Sequence, residues 1–109
     1  MNIENTKAQM RKGVLELCIL SMLQERDAYA SEIIEHLKKS EMIVVEGTLY
    51  PLLTRLKNAG ILAYRWEEST GGPPRKYYFA CPQGKKALEE LHRSWETLVL
   101  AVNKTTQKP

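Results

Sequence analysis

At 109 residues, 43% hydrophobic and 27% charged, the chain suits one domain with a real core, and it lacks any run of the roughly 18 apolar residues that a membrane-spanning helix needs. Its 16 basic and 13 acidic residues leave a formal charge of +3, so an anion-binding role depends on where the charges sit rather than on their sum. The two cysteines, Cys18 and Cys81, have no CxxC spacing, which excludes a disulfide framework or a zinc site and fits a reduced, cytoplasmic protein.

The start, MNIENTKAQMRKG, has no apolar core of signal-peptide type, and residues 1–9 are expected to be a flexible N-terminus. Residues 10–24, MRKGVLELCILSMLQ, predict a helix; past Gly13 only Glu16 and Ser21 interrupt its apolar residues. An ordinary surface helix carries a single apolar stripe, so this one needs burial on more than one side. A domain this small buries only about two-thirds of its unfolded surface. A second subunit would supply the rest, which makes Val14, Leu17 and Cys18 candidate interface residues. ERDAY then reads as a turn, with Asp27 the candidate cap of a second helix from about Tyr29 to Ser40. Its stripe is Ala30, Ile33, Ile34 and Leu37.

A third helix follows in VVEGTLYPLLTRLKNAG. Leu49, Leu52, Leu53 and Leu56 recur at i, i+3, i+4 and i+7, one face of a 3.6-residue period, and Gly60 suits the position just past the helix end. Gly47 and Pro51 are poor helix formers. If Thr48 caps the helix, Pro51 falls in its first turn and costs little; if the helix starts earlier, Pro51 kinks it. With the leucines inward, Pro51, Thr54 and Asn58 face outward, flanked by Tyr50 and Lys57 on one side and by Thr48 and Arg55 on the other. No acid stands between Thr48 and Asn58. A plain solvated helix mixes both signs, whereas a face that approaches phosphates excludes carboxylates. Gly47 offers a bare backbone N–H at the end where the helix dipole favours a phosphate.

After Gly60 the pattern changes. ILAYRWEES and RKYYFA are strand-like, and TGGPP between them reads as a loop, so the pair forms an antiparallel hairpin with a long tip. Gly72 permits close approach to a backbone, and Arg75 and Lys76 stand beside the tip; Glu67 and Glu68 count against a uniformly basic hairpin. Arg11 and Lys12 add a third basic spot. The last helix, residues 82–103, begins with Pro82 at its first position behind Cys81, a weak cap. Leu88, Leu91, Trp95, Leu98 and Val102 step by 3 and 4, the heptad seam of one helix lying along another. Residues 104–109 are expected to be a flexible tail.

Three helices, a hairpin and a further helix make a mainly α fold: a winged helix-turn-helix over residues 10–81 with a C-terminal dimerisation helix. In that arrangement the third helix enters the major groove, where base edges are distinguishable. Candidate DNA contacts are therefore Arg11, Lys12, Gly47, Thr48, Tyr50, Pro51, Thr54, Arg55, Gly72, Arg75 and Lys76. Candidate interface residues are Val14, Leu17, Cys18, Leu88, Leu91, Trp95, Leu98 and Val102.

RKGVLELCILSMLQ, YASEIIEHLKK, VEGTLYPLLTRLKNAGIL and GGPPRKYYF together resemble the PadR family of bacterial transcriptional repressors, in order from about Arg11 to Gly84. The resemblance implies a homodimer on pseudo-palindromic operator DNA, with Thr48, Tyr50 and Pro51 at the DNA-facing end of the recognition helix, and it favours the earlier start of that helix. It also implies the small subfamily, with a single short C-terminal helix. Ala30 stands where the family often has glycine, Val45 where it often has Ser or Thr, and Cys81-Pro82 where a threonine cap is common.

Some small members of the family bind flat aromatic or cationic compounds between tryptophans at the dimer centre. Trp95 thus has two readings: interface packing, the commoner role of a seam tryptophan, or the lining of an effector site. His36 and His92 lack a second imidazole at ligand spacing, so no metal is expected, and neither a cofactor loop nor a nucleophile context points to an enzyme. A winged helix that pairs with proteins rather than DNA is the rival function, and the modest charge leaves it open.

Overall fold

The computed structural model describes residues 1–107; Lys108 and Pro109, part of the expected tail, lie outside the described residues. In order these hold α1 (Ile3–Glu25), β1 (Ala28–Tyr29), α2 (Ala30–Lys39), α3 (Glu46–Asn58), β2 (Leu62–Ser69), β3 (Gly72–Ala80) and α4 (Pro82–Thr106). The architecture is mainly helical, with one small antiparallel sheet in the order β1-β3-β2.

Helix α1 starts at Ile3 rather than Met10, so residues 3–9 are helical. Asn2 explains this: its side-chain oxygen accepts a hydrogen bond from the Asn5 backbone N–H at 3.1 Å, satisfying one of the donors a helix start leaves open. Helix α4 likewise continues past Asn103 to Thr106, and the hydroxyls of Thr105 and Thr106 donate back to the Val102 carbonyl. Asp27 does not cap α2. The cap residue is Tyr29, whose backbone N–H donates to the Glu32 carboxylate at 2.9 Å.

The core is one cluster. Leu15, Ile19, Leu20, Met22 and Leu23 of α1 meet Ile33 and Leu37 of α2, the four leucines of α3, and Leu62 and Tyr78 of the sheet. All four α3 leucines are at most 6% exposed, so the period-3.6 reading of that helix holds. Gly60, with φ +76°, ends α3 in a left-handed turn; Ile61 N–H donates to Leu56 O and Gly60 N–H to Lys57 O, the double bond of a Schellman motif. Helix α4 is pinned at its start. Cys81 N–H donates to Ile61 O, and a Cβ on Gly84 would lie 2.4 Å from that same carbonyl, so only glycine lets α4 approach this closely.

The sheet departs from a two-stranded hairpin in two ways. β1 pairs Ala28 with Tyr78 and Tyr29 with Tyr77, making β3 the central strand. The tip is shorter than expected, since Gly72, Pro73 and Pro74 belong to β3 and the turn narrows to Thr70-Gly71. Proline fits there because β1 pairs no farther than Tyr77 and the β2 register shifts between Glu67 and Ser69, so few ladder bonds are lost.

Candidate nucleic-acid interface

Helix α3 begins at Glu46 behind Val45, which makes no side-chain capping bond. Pro51 therefore lies inside the helix, one turn past its start. Its missing N–H leaves Gly47 O without the donor four residues on, at a glycine that is itself exposed and whose added Cβ would meet nothing within 4 Å. Tyr50 is 46% exposed, and Pro51 and Thr54 are exposed beside it. Glu46 in the first turn is the only acid of α3.

Thr48 is half-buried and faces a groove of about 320 Å³ that also takes in Arg11 and Lys12 of α1. The structure thus joins the basic spot on α1 to the N-terminal end of α3, two segments far apart in sequence.

The hairpin splits the wing cations between its two faces. Lys76 lies 4.6 Å from the Tyr64 ring centre and 5.6 Å from that of Trp66. Lys57 of α3 lies 5.8 Å from the same Tyr64 ring. Tyr64 therefore stands between an α3 cation and a wing cation and makes one basic, aromatic surface of the two elements. Trp66, 61% exposed and edge-on to Tyr64 at 5.7 Å, extends it. Beneath it, burial pushes the Tyr78 phenol up, and Tyr50 and Tyr64 add to the shift.

Arg75 is on the other face. Its guanidinium donates to Ser31 Oγ at 2.7 Å and stacks 4.3 Å over Tyr29, at the start of α2. Arg65 shares that face, bonded to Glu67 at 2.7 Å and Asp27 at 3.0 Å and stacked 4.6 Å over Tyr77. Its two carboxylate partners raise its pKa. The Glu67 charge that weighed against a basic wing is thus engaged by Arg65. Gly72 is exposed near the tip, with Ser69 Oγ 3.1 Å from where a Cβ would be.

Arg55 stands apart from the other expected contacts. It forms an ion pair with Glu16 of α1, which directs it toward the helical scaffold. Lys57, Tyr64 and Trp66 went unassigned in the sequence because their signal is spatial: only the α3–wing packing gathers them.

The expected dimer seam divides in the same way. Cys18 and Leu88 pack against the chain's own core, and burial raises the Cys18 thiol pKa. Leu91, Trp95, Leu98 and Val102 lie exposed along α4, with Val14 and Leu17 half-buried on α1. Trp95, Leu98 and Val102 join Met10, Val14 and Met42 around an apolar cavity of about 500 Å³. Among the described residues no cluster of three His, Cys, Asp or Glu could hold a metal, and no helix is long and apolar enough to cross a membrane.

Comparison with known proteins agrees with this geometry. The PadR-like transcriptional regulator family matches residues 19–90. A transcriptional regulator of Mycobacterium tuberculosis is 30% identical over 94 residues, covering 86% of this chain and 87% of that protein. A PadR-like transcription factor from Bacteroides fragilis is 57% identical with a TM-score of 0.77, covering 94% of this chain and 99% of the other. A PadR family regulator from Eggerthella lenta is 32% identical with a TM-score of 0.89, covering 98% and 94%.

Proposed function

The chain belongs to the PadR-like family of transcriptional regulators, and from that membership we propose that it is a homodimeric, sequence-specific repressor whose operator is released by a small-molecule effector. The observation that carries this is the continuous surface made by α3 and the wing. Acid-free from Gly47 to Asn58, it runs through Tyr50, Thr54 and Lys57 onto Tyr64, Lys76 and Trp66. Cations there meet phosphates, while Tyr50 and Thr54 reach base edges and Gly47 and Gly72 let the DNA backbone come close. Arg11 and Lys12 extend the footprint beside Thr48, and Arg75 extends it at the start of α2.

Two such surfaces are needed for a pseudo-palindrome. The exposed α4 residues Leu91, Trp95, Leu98 and Val102, with α1, supply an apolar seam for a second copy. The two recognition helices then lie about one helical turn, roughly 34 Å, apart. A small aromatic or cationic effector would occupy the cavity beside Trp95 and change the angle between the two heads.

The test is a salt series on a duplex from the region upstream of the gene. If each subunit neutralises about three to five phosphates, log K falls with log salt at a slope of roughly −5 to −9 for the dimer. Equal affinity for unrelated duplexes at moderate salt refutes sequence-specific repression.

A further inference from the structure

The segment that joins α2 to α3 leaves two apolar side chains in the open. From Met42 to Val45 the residues alternate. Val44 is 6% exposed in the core and Met42 turns to the cavity beside Trp95, while Ile43 and Val45 are 66% and 65% exposed. Both stand farther into solvent than Tyr50. A single exposed apolar residue is ordinary, but turns favour Asn, Asp, Ser and Gly, and two β-branched side chains this close together form a patch. Val45 also forgoes a bond. It is the N-cap of α3, with extended backbone (φ −97°, ψ 158°), and its side chain has no oxygen to accept one of the open N–H groups of the helix. Serine or threonine there would stabilise α3, so local stability does not explain the valine.

The surroundings say what the patch fits. Ile43 and Val45 line the groove of about 320 Å³ that also holds Arg11, Lys12 and Thr48. Among the described residues its lining comes from α1, the turn and α3, away from the α4 seam. The groove continues the acid-poor face of α3 past its N-terminal end. A surface of branched apolar groups beside two cations fits a partner with anions at its rim and small apolar groups between them. Duplex DNA offers that in the major groove, where phosphates flank the C5-methyl groups of thymines. Side chains already fixed at χ1 lose little freedom in making the contact.

We propose that Ile43 and Val45 form an apolar lip that reads thymine methyl groups in the major groove ahead of the first turn of α3. Thymine is then specified, at one or two positions of each half-site, by its methyl group rather than by its hydrogen-bonding edge. This rests on the DNA-binding reading above and adds to it two residues upstream of Gly47.

The test replaces thymine by deoxyuridine, which removes the methyl and leaves the pairing intact. An operator is selected from a random duplex library with the wild-type chain, and its thymines are then exchanged singly. Wild type should lose about three- to tenfold at one or two positions per half-site, the cost of leaving one methyl group unburied. In Ile43→Ala and in Val45→Ser at least one of those positions should become insensitive. On the unmodified operator each variant should bind about three- to tenfold more weakly, with the wild-type salt slope, since no phosphate contact is lost. Val45→Ser should unfold at a higher temperature than wild type, which separates lost readout from lost stability. No sensitive thymine, or full sensitivity kept by both variants, overturns the proposal and leaves the regulator reading intact. So does a shift of either variant toward monomer in sedimentation, which would place the patch under a second copy. Selection of no preferred sequence by wild type refutes the regulator reading, and the proposal with it.

Discussion

Glu41 occupies a position that glycine usually fills. With φ 63° it sits in the left-handed region just past α2, where Met42 N–H donates to Leu37 O and Glu41 N–H to Lys38 O. A side chain there is strained, so Glu41→Gly should stabilise the fold by about 0.5–1 kcal/mol in urea unfolding. The equivalent turn after α3 was legible because Gly60 marks it; this one carries no glycine and so no signal. Gly47 poses the opposite case. Alanine there meets no atom within 4 Å and favours the helix, so Gly47→Ala should raise stability by up to about 1 kcal/mol. It should also lower operator affinity, because the Cβ stands where a phosphate approaches. Gains in both stability and affinity would mean that DNA does not come close at this glycine. Gly84 looks in sequence like an ordinary residue of an early helical turn. Its role lies in the Ile61 carbonyl, 2.4 Å from a would-be Cβ, and Gly84→Ala should cost about 1–3 kcal/mol as α4 is pushed off.

At the scale of elements, helices with a clean period were legible and short or irregular pieces were not. The leucine stripe of α3 specified both its type and its inward face. Ala28-Tyr29 is too short to show alternation, so β1 appears only through its pairing with Tyr77 and Tyr78. Pro73 and Pro74 misled because proline removes ladder donors, yet they lie where the register slips. The resemblance, rather than the local pattern, favoured the early start of α3 ahead of Pro51, and the helix does begin at Glu46. The seam between α3 and the sheet gives a pH prediction. Burial raises the Tyr78 phenol, with Tyr50 and Tyr64 adding to it, so the folded state holds this proton more tightly than the unfolded chain. Its contribution to stability is complete below the ordinary phenol value of about 10 and is lost as pH rises through the folded value. The unfolding midpoint should fall above about pH 10, and the fall should be shallower in Tyr78→Phe. The two lysines beside Tyr64 give a second prediction. Lys76→Gln and Lys57→Gln should each flatten the dimer's salt slope by about 2, one phosphate per subunit. An unchanged slope would remove that lysine from the interface.

At the scale of the whole molecule, a chain of 60 × 32 × 23 Å carries its apolar excess along α4, where Leu91, Trp95, Leu98 and Val102 stay exposed. The heptad steps made that seam readable, but not its division. Leu88 shares its pattern yet packs, as Cys18 of α1 does, against the chain's own core, because the start of α4 is pinned to the domain at Ile61 and Gly84. Leu98→Asp should yield a folded monomer by sedimentation and lower operator affinity at least about a hundredfold, since a single head keeps only half of the phosphate contacts. Wild-type affinity in a monomer would detach DNA binding from dimerisation.

The central claim is that two copies of the α3–wing surface engage one duplex together. Hydroxyl-radical footprinting on the operator tests it most directly. The account predicts two protected segments related by a twofold axis, with centres about 10 base pairs apart, both lost together in Tyr50→Ala. A single protected segment, or protection unchanged by Tyr50→Ala, would contradict it.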